Sequence, residues 1–323
     1  MKRFLLVGGG GTIGYYFERM LTKQGLVPFV ANHGRKAGDN YIRTDIMYVD
    51  DVRKAIRSSN ADCIIHLAAE VSRRGSETNL AKTMSVNVVG TLNVGIAAIE
   101  ANVPVVYTST SEVYGRTFGP TTAVTEDMTP DPFNNMYGLS KYQGEQTLEY
   151  LARRHELRAS IARIFMTYGE GKVPRTKQTL EGIYTAMGIM IVGLMHGQPI
   201  DVHIGTARQW CHIDDTCRGL LMMAQKAPSI LNGGRPPNIY NLGFEPLYTS
   251  RYLAETIADI LGADRALIRD VPCPSDTIPV KIASFEKIRR ELGFEAHIAL
   301  KDGIRSYIDW MRLRVKDDDS LLL

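Results

Sequence analysis

Short apolar runs alternate along this chain with longer segments whose apolar residues recur at helical spacing. Phe4-Leu5-Leu6-Val7 is followed at once by glycines, and residues 15–24 then carry a helical pattern. Residues 27–31 read as a second strand, and a third precedes Asp45. Residues 61–69 read as a fourth, buried strand ending in the small side chains of Ala68 and Ala69. A long helix is expected over 77–100 and a fifth strand over 103–107. A loop rich in turn residues (Pro130, Asp131, Pro132, Asn134, Asn135) then leads through Tyr137 into a helical run over 141–154.

The second half is less regular. Helical spacing returns over 216–226, a Gly/Pro loop covers 232–237, and 239–242 reads as a strand. Residues 249–261 form a helix with Thr249 or Ser250 as N-cap. A Pro-rich stretch over 271–279 precedes closing helices over 284–292 and 300–312, and the tail over 316–323 is expected to fray. The most apolar stretch, 183–195, contains two glycines and is about 13 residues long, short of the roughly 20 a membrane span needs. It reads as a buried helix, and no membrane partner is expected.

Composition narrows the possibilities. The 323 residues are 44% hydrophobic and 23% charged, with a net charge of +3 and no long basic run, so nucleic acid is not an expected partner. Cys63, Cys211, Cys217 and Cys273 lack metal-ligand spacing, so no metal site is expected. They read as reduced thiols of a cytoplasmic protein, and no signal peptide is expected from the first residues.

The glycines after the first strand are spaced Gly8, Gly11, Gly14, enclosing Thr12 and Ile13. Strand, glycine turn and helix is the setting in which a backbone approaches a dinucleotide pyrophosphate. After the second strand stands Asn32, where NAD enzymes of this kind usually keep an acid for the ribose hydroxyls, followed by Arg35 and Lys36. Without that carboxylate a 2′-phosphate is not repelled, and Arg35 or Lys36 could pair with it. That leans toward NADP without excluding NAD; the alternative is that both are solvated loop charges. Asp45-Ile46 could sit against the adenine. His66 reads as a hydrogen-bonded core histidine.

Thr108-Ser109-Thr110-Ser111-Glu112 follows the fifth strand. Hydroxyls plus a carboxylate at such a strand end suit proton handling, although Ser and Thr also cap turns, a reading that weighs more for Thr108 and Ser109. Tyr137 and Lys141 are four residues apart and so share one helix face. An isolated phenol titrates near 10, and an ammonium one turn away favours the phenolate, making the tyrosine a usable base. Taken alone, the pair could equally be an ordinary surface coincidence.

Together the glycine turn, His66-Leu67-Ala68-Ala69, Asn87, the Thr110–Gly115 run and the Tyr137/Lys141 pair resemble the extended short-chain dehydrogenase/reductases. More narrowly they are similar to the NAD-dependent epimerase/dehydratases that act on nucleotide sugars. Residues 163–171 and 208–215 extend the likeness, which is good to about residue 220. The resemblance implies an α/β fold, a doubly wound parallel sheet (Rossmann) with a smaller C-terminal substrate domain. Residues 1–170 would form the first, with 200–245 partly returning to it; 171–199 and 246–323 would form the second.

It also implies a tightly bound NAD(P) and a nucleotide-sugar substrate; the length and apolar face of the helix over 77–100 make it a candidate for packing a homodimer. Gly8, Gly11, Thr12, Ile13, Gly14, Asn32, Asp45, Ile46, Leu67, Ala68, Ala69, Asn87, Tyr137 and Lys141 are the cofactor-binding candidates. Arg208 stands where the family contacts the nucleotide diphosphate, with Arg175 and Lys172 as further candidates. Met166 replaces an Asn that commonly touches the sugar or its phosphates.

Thr110 and Tyr137 would handle the C4 hydroxyl while its hydride passes to the nicotinamide. Glu112 stands where 4,6-dehydratases carry the base for C5; Ser111 replaces an aspartic acid found in some of them and resembles the GDP-mannose type. The reading is therefore a 4,6-dehydratase, with a 4-epimerase and a UDP-glucuronate-type decarboxylase, which shares the Thr-Ser-Glu-Val-Tyr-Gly run, as alternatives. A non-catalytic cofactor sensor is the alternative from another class; such proteins usually lose the Tyr/Lys pair.

Overall fold

The computed structural model describes residues 2–34, 38–71, 73–119, 121–171, 186–226, 235–275 and 277–317. Seven strands hydrogen-bond into one parallel sheet: β1 (Arg3–Val7), β2 (Val27–Asn32), β3 (Tyr41–Arg43), β4 (Cys63–His66), β5 (Val105–Thr110), β6 (Ala159–Ile164) and, from the second half, β7 (Asn238–Leu242). Their spatial order is β7-β6-β5-β4-β1-β2-β3. The chain winds outward from β1 to β3, then restarts at β4 on the other side of β1, with Val7 paired to both Ala31 and His66. That reversal opens a crevice at the carboxyl ends of β1 and β4, where such sheets bind ligands.

Alternate residues of each strand face opposite layers. Leu5, Val7, Ile64, Val105 and Ile161 pack on α2 (Val49–Ser59), α3 (Gly90–Ala101) and α4 (Met136–His155). Phe4, Leu6, Ile65, Val106 and Ala162 pack on α1 (Thr12–Lys23) and α5 (Ile213–Gln225). The sheet is covered on both faces, so its central strands β1 and β4 read as near-continuous apolar runs. A third apolar cluster is built from later segments, including Met187, Ile191, Ile200, Trp210, Leu253, Ile257, Ile304 and Ile308. Thr249 caps the helix Ser250–Leu261, accepting from the Tyr252 N–H at 3.1 Å.

Several expected elements differ in the structure; two of them bear on the site. The helix expected over 77–100 is broken: Asn79 caps a new turn by accepting from the Lys82 N–H, and Ser85–Val89 form a π turn before α3 begins. The extra residue per turn lets Asn87 point inward, fully buried. By length and hydropathy Leu80–Ala101 could span a membrane, yet α3 packs against α2 and α4 on the sheet. The fifth strand, expected to end at 107, runs to Thr110, because Thr108, Ser109 and Thr110 pair with Ala162, Arg163 and Ile164 of β6. Thr108 and Ser109 are strand residues, not turn caps.

Beneath that strand end lies a buried ion pair. Arg163 donates to Glu145 through Nη2 at 2.7 Å and Nε at 3.1 Å, both side chains being under 5% exposed. Ser109 donates to the same carboxylate, and the guanidinium lies over the Tyr114 ring at 4.8 Å. Removing one member strands the other charge in the core. Glu145→Ala is expected to cost about 3–5 kcal/mol, read from the urea midpoint; a loss below about 1 kcal/mol would contradict the pair's structural role.

Candidate active site

The site forms where the N-terminus of α4 meets the end of β5. Asn135 caps the helix, its Oδ1 accepting from the Gly138 N–H at 2.7 Å. Helix and strand end touch closely: a Cβ on Gly138 would lie 2.6 Å from the Glu112 carbonyl oxygen. The helix starts at Met136 rather than at 141, which places Tyr137 and Lys141 together on its first turns. Lys141 is 1% exposed, with Nζ 4.0 Å from the centre of the Tyr107 ring.

The electrostatics of this pair differ from the sequence expectation. Burial pushes the Tyr137 phenol up to about 12, opposed by a hydrogen bond with Thr110, while the nearby Glu112 charge raises it further. Burial also lowers the Lys141 ammonium to about 7, against a smaller upward pull from Glu145. Desolvation is the largest cause for each member, and both are driven toward their neutral forms.

Thr110 ends β5 and caps the short turn Ser111–Tyr114, its Oγ1 accepting from the Glu112 N–H at 3.2 Å. It therefore combines a capping role with its bond to Tyr137. Ser111 is buried. Glu112 is held on both carboxylate oxygens: Asn135 Nδ2 donates to Oε2 at 3.1 Å, and the Lys281 ammonium pairs with Oε1. Lys281 comes from a two-residue strand, Val280–Lys281, that pairs with Ala207–Gln209 so that Lys281 lies opposite Arg208. Asn135, read from the sequence as a loop residue, is the helix cap; an Asn just before the Tyr137/Lys141 stretch is a signal that could have found it. Nothing near Lys281 in the sequence marks it, since its partner is 169 residues away.

The glycine turn divides by role. Gly8 has φ +82° and a Cβ there would strike Ala68 at 2.4 Å; a Cβ on Gly14 would strike Gly9 at the same distance. These two are demanded by the fold itself. Gly11 is different: the nearest atom to its Cβ would be the Gly8 carbonyl oxygen at 3.5 Å. Its lack of a side chain leaves an open cradle where Thr12, Ile13 and Gly14 begin α1 without a side-chain cap. That suits a pyrophosphate. Leu67, Ala68 and Ala69 lie just past the end of β4, partly exposed beside this turn.

Other candidates fall elsewhere. The Asn87 amide is engaged structurally, accepting from the Glu70 N–H at 2.8 Å and donating to Ser140 Oγ at 2.9 Å. It ties the loop after β4 to the start of α4. Asp45 accepts from the Met47 N–H, and Ile46 is buried against Gly90. Asn32 stands beside Gly10 at the end of β2. His66 is a core residue, Nε2 lying 3.1 Å from Thr91 Oγ1, and burial lowers it to about 3. Arg35, Lys36, Lys172 and Arg175 lie outside the described residues. Arg208 donates to the carbonyls of Ala207 at 2.8 Å and Ile278 at 2.7 Å, and to that of Pro279. Met166 packs against the third apolar cluster.

A doubly wound sheet that sets a tyrosine and a lysine one turn apart against a hydroxyl-bearing strand end is the frame of the short-chain dehydrogenase/reductases. The model of the NAD dependent epimerase/dehydratase family matches residues 4–243, and the chain belongs to that family. It is 29% identical to a dTDP-glucose 4,6-dehydratase of Streptomyces niveus, over 96% of this chain and 93% of that one. It is 27% identical to UDP-glucuronic acid decarboxylase 6 of Arabidopsis thaliana, over 97% and 90%. Among solved structures, the dTDP-glucose 4,6-dehydratase DesIV of Streptomyces venezuelae with NAD bound matches at TM-score 0.83 and 27% identity, covering 99% of both chains. A UDP-glucose 4-epimerase of Thermotoga maritima matches at TM-score 0.84, covering 97% of this chain and 99% of that one; at 22% identity it speaks for the fold. The protein is thus an enzyme of the nicotinamide-dependent nucleotide-sugar class, with relatives that carry out different reactions.

Two predictions test the site. Tyr137→Phe is expected to abolish turnover while bound dinucleotide is retained, measured by product formation and by cofactor released on denaturation; full activity would remove the tyrosine from the chemistry. Lys141 holds its proton less tightly folded than unfolded, so the unfolded state binds more protons above about pH 7. Stability measured relative to Lys141→Met is expected to rise from about pH 7 to about pH 9. Parallel denaturation midpoints for the two proteins across that window would contradict the lowered lysine.

Proposed function

We propose that the protein is a nucleotide-sugar 4,6-dehydratase, converting a nucleoside-diphosphate hexose into its 4-keto-6-deoxy derivative. The observation that carries this reading is Glu112, a largely buried carboxylate fixed at both oxygens and close enough to Tyr137 for its charge to act on the phenol. Epimerisation at C4 needs only removal and return of hydride. Elimination needs a second base, because the ketone at C4 makes the C5 proton removable and something must take it.

The open cradle at Gly11, the uncapped start of α1, the half-buried Tyr137 and the buried Lys141 are the groups that would hold the dinucleotide. Bound there, an oxidised nicotinamide dinucleotide supplies the hydride acceptor and a positive ring charge. With that positive charge beside it favouring the phenolate, Tyr137 would give up its own proton on cofactor binding and then take that of the C4 hydroxyl, and Thr110, bonded to that phenol, would orient it. Glu112 then takes the C5 proton, and water departs from C6. Asn32 brings no carboxylate to the ribose hydroxyls, which supports tolerance of a 2′-phosphate and hence use of NADP as well as NAD. Exposed Leu80 and Val89, beside the broken helix, support a homodimer through that face.

The test is mass analysis of products from dTDP-glucose, UDP-glucose and UDP-glucuronic acid. Loss of one water from a hexose is expected. Loss of carbon dioxide from the uronic acid would identify a decarboxylase, and unchanged mass with inversion at C4 an epimerase. Glu112→Gln is expected to reduce dehydration by about 10²-fold or more while reduced-nicotinamide absorbance still develops on adding substrate. Undiminished dehydration by that variant would exclude Glu112 as the base.

A further inference from the structure

Elimination needs an acid as well as a base: a hydroxyl at C6 leaves readily only if its oxygen is protonated as the bond breaks. Ser111, the neighbour of Glu112, offers an aliphatic hydroxyl, a poor proton donor. The structure brings a different group to this place. Lys281, from a strand far along the chain, lies with its ammonium on Glu112 Oε1 and near the Phe118 ring, and its side chain is 7% exposed. Resting on the dehydratase reading, we infer that Lys281 is the acid that protonates the departing C6 hydroxyl.

The step balances within the pair. The C5–H bond breaks and its proton goes to Glu112; the electrons left at C5 form the C5–C6 double bond as the C6–O bond breaks. The oxygen leaves with that bond's electron pair, takes a proton from the Lys281 ammonium and departs as water. Before the step the pair is carboxylate and ammonium; afterwards it is carboxylic acid and amine. Its total charge is zero in both states.

That neutrality matters in a largely buried place. Once Glu112 has gained a proton, an ammonium left beside it would be an uncompensated buried charge, a costly arrangement. Proton uptake by Glu112 therefore favours proton release by Lys281 at the moment the leaving group needs it. The pairing of Lys281 opposite Arg208 fixes this lysine on a strand, so its stem reaches the site from a rigid base.

The test uses the purified protein with its own dinucleotide, and dTDP-glucose in deuterium oxide. Lys281→Arg keeps a positive partner for Glu112 but substitutes a guanidinium that does not give up its proton. It is expected to incorporate solvent deuterium at C5 while dehydration falls by about 10²-fold or more. Lys281→Met, which can neither pair nor donate, is expected to lose both exchange and dehydration. Wild-type dehydration by either variant overturns the role. Loss of C5 exchange in Lys281→Arg as well also overturns it, since the lysine would then act only by posing Glu112. If the wild-type protein itself exchanges or inverts without losing water, the dehydratase reading fails and takes this inference with it.

Discussion

The proposed chemistry depends on how closely the start of α4 lies against the end of β5. That approach is possible because residue 138 has no side chain, and it is locked by Asn135, which accepts from the helix backbone and donates to Glu112. One amide thereby sets the direction of the helix carrying Tyr137 and Lys141 and the orientation of the carboxylate across from them. The buried Arg163–Glu145 pair beneath supports the same junction, tying helix to sheet one layer down.

Burial gives the junction its character. The phenol and the amine are both pushed toward neutrality, so the pair is poised rather than already ionised. A site of this kind responds strongly to any charge brought beside it, because little water is present to screen the change. Glu112 and Lys281 follow a related logic with the opposite resting state: they are ionised together, and each holds the other's charge. Two acid–base pairs, one pushed by burial toward neutrality and one held as an ion pair, thus flank the same strand end.

Much of this was readable from residue order. The glycine turn after the first apolar run, the alternation of strand and helix, and the Tyr137/Lys141 spacing are local signals, and the fold follows them. What could not be read has tertiary causes. The helix over 77–100 looked continuous because its apolar spacing is continuous; the break comes with Asn79, which caps a new helical turn, and the π turn with Asn87, whose amide bonds to the loop after β4 and to Ser140. Strand β5 is longer than its apolar run because pairing with β6 on one side carries hydroxyl residues into the ladder. The direction of the Tyr137 and Lys141 shifts depends on how deeply the pair is buried, which spacing does not reveal. Lys281 belongs to the site through a contact across most of the chain.

The central claim, that Glu112 directs the C4 ketone into elimination, is tested most directly by following the C4 hydrogen. With dTDP-glucose deuterated at C4, the account predicts a product that has lost water and carries that deuterium at C6. Deuterium that remains at C4 in a substrate of unchanged mass, with the C4 configuration inverted, would contradict it.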